Sequence, residues 1–154
     1  MSESTVRAQI ITRIQAVSTV PDATVYGYMP WVNTWSNFIE TFKDPDSTQL
    51  HGWTVRRVAE LRVRDQVQHE LRQYTFRVEG WYGLSGNGAS ELTWQGIIDD
   101  VLNELDNYWT LSETVELMQP LQLEILDHHS LEGHLSHHAV IIIVAEERVQ
   151  VIPA

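Results

Sequence analysis

Histidine is the residue type whose spacing most directly suggests chemistry in this chain. Five of the seven histidines lie between residues 128 and 138: His128, His129, His134, His137 and His138. Because neutral imidazole binds zinc, nickel and copper, one histidine from each adjacent pair together with His134 would offer three metal ligands. Adjacent side chains of a strand point to opposite faces, so each pair offers only one ligand to a given side. Hydrogen-bonded or solvated histidines around a hairpin turn are therefore the favoured interpretation, and we predict no metal site.

Other groups that carry catalysis lack their usual partners. The chain has no cysteine, and the residues around Ser85 do not match the Gly-x-Ser-x-Gly turn that presents a nucleophilic serine. The glycine-rich stretch 83–88 contains no lysine and fits neither a P-loop nor a dinucleotide-binding fingerprint. Asp99 and Asp100 are neighbours on a predicted helix and diverge by about 100° around its axis. We expect no catalytic residue, no enzyme activity and no cofactor.

The composition is that of one globular domain. The chain has 154 residues, of which 43% are hydrophobic and 20% are charged, so we expect a single domain over 1–154. Without cysteine it can form neither a disulfide framework nor a cysteine zinc site. The first residues lack the basic and apolar regions of a signal peptide. The longest apolar run, 139–145, is far shorter than the ~20 residues of a membrane helix, so no membrane partner is expected.

Hydrophobic periodicity predicts the elements that would position these groups. In chain order they are a helix over 6–17, a strand over 24–28, a helix over 33–42, strands over 53–64 and 71–81, a long helix through 94–105, and strands over 121–126 and 139–145. Strands not regularly separated by helices favour an α+β fold. We predict a mainly antiparallel sheet of four to five strands, packed by one long and one or two shorter helices.

Several local features sharpen this prediction. Asn33 or Thr34 is expected to cap the second helix, and Ser90 the long one. A long or ragged polar turn is expected over 65–70, and Gly96 is expected to mark close approach of another backbone. Most of the six tryptophans are predicted to lie in the core, with the pair Tyr108 and Trp109 exposed. The core tryptophans are expected among Trp31, Trp35, Trp53, Trp81 and Trp94.

Charge is distributed unevenly along the chain. The formal net charge is −11, which makes the protein a poor candidate for gripping nucleic acid over its whole surface. Six of the ten basic residues lie in the predicted hairpin of the two long strands: Arg56, Arg57, Arg62, Arg64, Arg72 and Arg77. Residues 78–154 hold thirteen acids against one arginine.

Two interpretations of this asymmetry stay open. One is ordinary surface charge. The other is a molecule with a basic face and an acidic face, which suits head-to-tail packing against copies of itself. On the second interpretation the arginines form a subunit interface, and the long helix supplies the acidic face. The acidic residues are Asp99, Asp100, Glu104 and Asp106.

Five stretches carry a resemblance to a known family: 6–16, 52–57, 80–84, 89–92 and 133–138. In them the chain resembles the tail terminator class of small tail-completion proteins of tailed bacteriophages. The resemblance covers most of the chain and is a composite, because none of the stretches is a chemical motif. The loop around 44–47 and residues 149–154 depart from it.

The resemblance implies a structural virion protein made in the host cytoplasm and located in the tail or neck. Such a protein is one small α+β domain that forms a homo-oligomer ring, with six copies expected. The ring terminates the tail tube and joins it to the head. The implied partners are the tail tube protein, a head-side neck or connector protein, the sheath terminal ring if the tail is contractile, and DNA that passes through the lumen without specific binding. The resemblance implies no catalytic residues.

Three other functions remain as alternatives. The first is a head-completion or neck connector protein of the head–tail interface. The second is a metal-binding protein or metal-dependent enzyme that uses the histidine cluster, and the third is a generic interaction module.

In the ring interpretation, acidic residues would line the lumen. They would let DNA slide past, since like charge removes phosphate contacts.

Overall fold

The computed structural model describes residues 3–47, 49–84, 89–108 and 117–150, without the side chains at 65, 66, 117 and 125. The predicted loop at Ser85, the exposed Trp109 and the chain beyond 150 lie outside the described residues. The helices are α1 (Glu3–Gln15), α2 (Trp35–Phe42) and α3 (Ala89–Asn107), and Asp22–Thr24 forms a 3-10 turn. The strands are β1 (Val25–Tyr26), β2 (His51–Gln66), β3 (His69–Gly83), β4 (Leu117–Met118), β5 (Gln122–Leu131) and β6 (His134–Gln150).

The predicted α+β fold with a mainly antiparallel sheet is confirmed. The strand order is β1-β2-β3-β6, and β4 and β5 both pair with the far side of β6. Among the described strands, only β1 pairs in parallel with its neighbour, β2. The described sheet has six strands rather than four to five, and the strand without a predicted counterpart is β4, which contains two residues. Two residues are too few to give a readable alternation, and β4 was therefore not predicted.

Two tight turns connect the long strands. At the turn between β5 and β6, Glu132 has φ of 51° and Gly133 has φ of 79°. Positive φ at both central residues matches the twist of a two-residue hairpin, and glycine adopts it without strain. Strands β2 and β3 also continue to within two residues of each other, since Gln66 pairs with His69. The turn predicted over 65–70 is therefore short rather than long, and its irregularity is confined to a register shift between Arg64 and Gln66.

Helices α1 and α3 cover one face of the sheet and enclose the main core. From the helices it contains Val6, Ile10, Ile14, Trp94, Ile98 and Val101, and from the strands Trp53, Phe76, Val78, Ile141 and Ile143. Gly80 lies beneath the Trp53 and Trp94 rings, and a Cβ atom there would come 2.7 Å and 2.8 Å from them. The missing side chain allows these rings to approach with centroids 5.4 Å apart.

Helix α2 packs on the opposite face and covers only one end of the sheet. Phe38, Phe42 and Leu50 form a second apolar cluster with Trp81. The Thr34 hydroxyl accepts a hydrogen bond from the amide of Asn37 at 3.1 Å, which confirms Thr34 as a cap of this helix.

Three local predictions are wrong. Helix α3 begins at Ala89, so Ser90 lies inside its first turn, and its buried hydroxyl is 2.9 Å from Nε2 of His137. A Cβ atom on Gly96 would meet no atom of the described residues within 4 Å, so none of the described backbone approaches there. Trp31 is 83% exposed, because it lies in an irregular segment between β1 and α2 rather than at the start of a packed element.

Candidate functional site: charged sheet edges and the histidine hairpin

Acids within the same hairpin neutralise part of the arginine cluster that the sequence assigned to a subunit interface. Arg62 forms an ion pair with Glu60 at 3.2 Å and approaches Glu70 at 4.0 Å. Arg72 donates from Nε to Glu70 at 2.9 Å. The strand alternation places these four charges on one face of β2 and β3. Here the hairpin is a charge network rather than a uniform basic surface.

A second network surrounds Glu79 on the other face of the sheet. Its carboxylate accepts from Arg77 Nε at 2.6 Å and from Arg56 Nη2 at 3.2 Å, and it lies 3.2 Å from His138 Nε2. Burial by itself would raise the pKa of Glu79, but the hydrogen bonds and charges of His138 and Arg77 outweigh burial and lower it to about 2. Arg56 and Arg77 therefore act within the subunit.

Arg57 and Arg64 are the two predicted interface arginines that keep a free charge. Both are exposed. No ion pair is found for either among the side chains that the structure describes. They lie on β2, which forms an outer strand of the sheet over most of its length. The hairpin can therefore offer uncompensated positive charge along this edge.

The four acids assigned to an acidic face do not share one surface role. Glu104 forms an ion pair with Arg13 of α1 at 3.4 Å, which links the two helices of the core. Asp100 lines a surface cavity, and Asp99 and Asp106 are exposed. The helical period places the exposed Asp99 and Asp106 on one face of α3 and the exposed Asp100 about 100° away, at the cavity.

The histidines of β5 and β6 lie on both faces of their hairpin, as the alternation predicts. His128 and His137 face α3, with ring centroids 5.3 Å apart. His129 and His138 lie on the opposite face, with centroids 5.7 Å apart. Burial and then the charge of His138 lower the pKa of His129, and burial and then His128 lower that of His137. Among the described residues, no group of three potential metal ligands comes together.

Aromatic stacking holds the histidines that face α2. The His138 ring stacks on Trp81 with centroids 5.5 Å apart, and His134 stacks on Trp35 at 4.9 Å. His129 stacks on Phe38 at 5.5 Å. These contacts give the rings a packing role between α2 and the β5–β6 hairpin.

A cavity of about 660 Å³ lies between α3 and the loop that precedes β2. His51 and Tyr82 line it from the sheet, and Asp44 and Asp100 bring negative charge to its rim. The Asp44 carboxylate accepts from the amide of Asp46 and the hydroxyl of Ser47, both at 2.9 Å, and these bonds organise the loop. The sequence does not predict this arrangement, because no sequence pattern connects His51 with the other residues that line the cavity.

No family model and no curated protein matches this chain. Within the described residues, no helix is both long and apolar enough to cross a membrane.

Proposed function

We propose that the protein is a structural phage component that assembles head to tail into a ring and terminates the tail tube. The observation that carries this proposal is the placement of opposite charges on the two sides of one sheet. Arg57 and Arg64 lie along β2 at one edge, whereas β5 at the other edge carries Glu124 and Asp127 and neither lysine nor arginine. Two different, complementary patches on one body generate a heterologous interface, which closes into a ring when the rotation allows it.

The remaining negative charge suits a passage for DNA. Each internal ion pair neutralises one arginine and one acid, so the excess of acids remains and the chain keeps a formal net charge of −11. A lumen bordered by exposed carboxylates such as Asp99 and Asp106 repels phosphates and removes adhesive contacts. DNA then passes without specific binding.

The partners follow from this role and from the resemblance in the sequence. The ring, with six copies expected, contacts the tail tube protein on one side and a head-side neck or connector protein on the other. In a contractile tail it also contacts the sheath terminal ring. Its place is the neck of the virion, and a head-completion or connector protein is the alternative within the same class.

The oligomeric state tests the proposal first. Native mass spectrometry should give a closed assembly near six copies, and negative-stain images should show a central hole. Purified protein added to growing tail tubes should stop their elongation and appear at one end. A protein that stays monomeric and is missing from purified virions would contradict the proposal, and binding to DNA-filled heads but not to tubes would favour the connector.

The lumen is tested by charge reversal on α3. Asp99→Lys with Asp106→Lys should leave rings intact and slow DNA passage during infection. Glu104 is unsuitable because its reversal would break the ion pair with Arg13. Asp22→Lys with Asp46→Lys is the matched control, since both residues are exposed, lie outside α3 and form no ion pair among the described side chains. Equal infectivity of the two double variants would show that the acids of α3 do not line the lumen.

A further inference from the structure

We infer that neighbouring copies join by backbone pairing, with strand β5 of one copy added to the free edge of β2 of the next. This inference deepens the proposed function and rests on it for the closure of the ring. The interface would be a continuation of the sheet rather than a contact between the arginine hairpin and helix α3.

Strand β2 has a long unpaired edge. On its outer side β1 pairs only with Trp53 and Thr54, and no described residue pairs with β2 on that side from 55 to 66. Every residue from 57 to 64 is exposed. Val58, Leu61 and Val63 are 49%, 54% and 45% exposed. An exposed strand with free amide and carbonyl groups and apolar side chains is a template for another strand.

Strand β5 presents the corresponding edge on the other side of the sheet. It pairs with β6 along one side, and no described residue pairs with it along the other. Leu123 and Leu126 are 39% and 44% exposed. Its ten residues match the twelve-residue free stretch of β2 closely enough for a continuous ladder.

The charges of the two edges are complementary. The stretch 55–66 of β2 contains four arginines against Glu60 and Asp65, a formal charge of +2. Strand β5 contains Glu124 and Asp127 and neither lysine nor arginine, a formal charge of −2. Opposite charges across a strand pair stabilise it, and like charges directly opposite destabilise it. Pairing of β2 with β2, or of β5 with β5, would bring like charges together, so the occupant of each edge is the other edge of a second copy.

Strand direction also fits this occupant. The long strands β2, β3, β6 and β5 pair antiparallel in that order, so β5 runs opposite to β2. A second copy placed beside the first in the same orientation therefore continues the sheet with antiparallel pairing. Because the number of long strands is even, the alternation is unbroken at every subunit boundary.

The two edges are offset along the strand direction. Strand β5 pairs with β6 between His134 and Ile142, whereas the free part of β2 lies level with β6 from Ile141 onward. Copies joined edge to edge are thus displaced along the strands. A closed sheet requires such a stagger, because its strands tilt relative to the barrel axis.

Disulfide trapping tests the pairing directly, since the chain has no cysteine of its own. Leu61 and Asp127 lie on the same face of the sheet, so Leu61→Cys with Asp127→Cys should form intersubunit disulfides on oxidation. Ala59→Cys and Val63→Cys, each with Asp127→Cys, cover the neighbouring registers on that face. One of the three double variants should give a ladder of covalent oligomers up to the full ring.

Control variants separate this inference from the proposed function. Leu61→Cys with Asp99→Cys should give no ladder, whereas a ladder there would place the hairpin against α3 and overturn the strand pairing while leaving the ring. Dimers formed by Leu61→Cys alone would show that β2 pairs with β2. That result would also overturn the inferred pairing of β2 with β5. If the unaltered protein never assembles, the ring itself is contradicted. The arginines of β2 would then serve to keep its open edge from pairing with other strands.

A charge exchange gives a second, independent measurement. Arg57→Glu with Arg64→Glu should raise the concentration needed for assembly by at least about tenfold, because acids would then face acids. Adding Glu124→Lys and Asp127→Lys to the same chain should restore assembly. Failure of the fourfold variant to assemble, while circular dichroism shows that it is folded, would overturn the proposed pairing.

Discussion

Trp53 donates its indole N–H to Nε2 of His51 at 2.9 Å, two residues away along β2. Both side chains are buried, with His51 3% exposed. The bond requires an unprotonated Nε2 and therefore a neutral ring with its proton on Nδ1. Burial lowers the pKa of His51 to about 4, against a smaller opposing effect of the Asp44 charge.

Stability should depend on pH through His51. In the unfolded chain His51 binds a proton near the ordinary histidine pKa of about 6.5, whereas in the folded chain it does so only near 4. The contribution of neutral His51 to the free energy of unfolding is therefore full above pH 6.5 and is lost as the pH falls towards 4. We expect a loss of about 2 kcal/mol from this residue between pH 7 and pH 5. Urea unfolding at several pH values should show a shallower dependence for His51→Gln, and equal slopes would contradict it. His129 and His137 shift in the same direction and leave a residual slope.

Loss of the Glu79 carboxylate should weaken the fold more than loss of an exposed acid. Glu79 is 8% exposed and has three cationic or hydrogen-bonding partners, so Glu79→Gln should cost about 1–3 kcal/mol in the free energy of unfolding. Glu60→Gln is the matched control and should cost less than about 1 kcal/mol, because its partner Arg62 is half exposed. If urea titration gives equal losses in the free energy of unfolding for the two variants, Glu79 contributes no more than an ordinary surface ion pair and the prediction is wrong.

Two glycine substitutions should act in opposite directions. Gly80→Ala forces a Cβ atom against the Trp53 and Trp94 rings and should cost about 1–3 kcal/mol through overpacking. Gly96→Ala adds a methyl group in open space on α3 and should stabilise the protein by about 0.5–1 kcal/mol, because alanine favours the helix. Thermal unfolding of the two variants checks the signs, and a destabilised Gly96→Ala protein would show that a neighbour packs there.

The histidine hairpin should not bind a divalent metal tightly within one chain. His128 and His137 lie on one face and His129, His134 and His138 on the other, and the latter three are stacked on aromatic rings. Protein washed with chelator and titrated with zinc should show no stoichiometric uptake by calorimetry. Tight binding of one ion per chain that His134→Ala abolishes would contradict this prediction.

The features that the sequence predicted are those that depend on local periodicity. The stripe of Trp94, Ile98 and Val101 predicted α3, and the alternation around Phe76 and Val78 predicted β3. The opposite directions of His128 and His129 followed from the pleat alone. In each case, neighbouring residues already contain the information.

The features that were not predicted depend on register between distant strands. Glu132 accepts a hydrogen bond from the amide of Trp35 at 3.0 Å, although 97 residues separate them. The convergence of Arg56 and His138 on Glu79 likewise exists only because β2, β3 and β6 pair in one register. A sequence count of arginines shows their number but not which of them find an acid.

Strand β6 has a consequence for the order in which the molecule acquires its structure. It lies between β3 on one side and β4 and β5 on the other, yet it follows all of them in the chain. During translation the β2–β3 hairpin can close by local contacts, but α1 and α3 lack Ile141 and Ile143 to pack against. Such long-range closure is slow. The core therefore forms in a late step, only after residues 134–150 have left the ribosome.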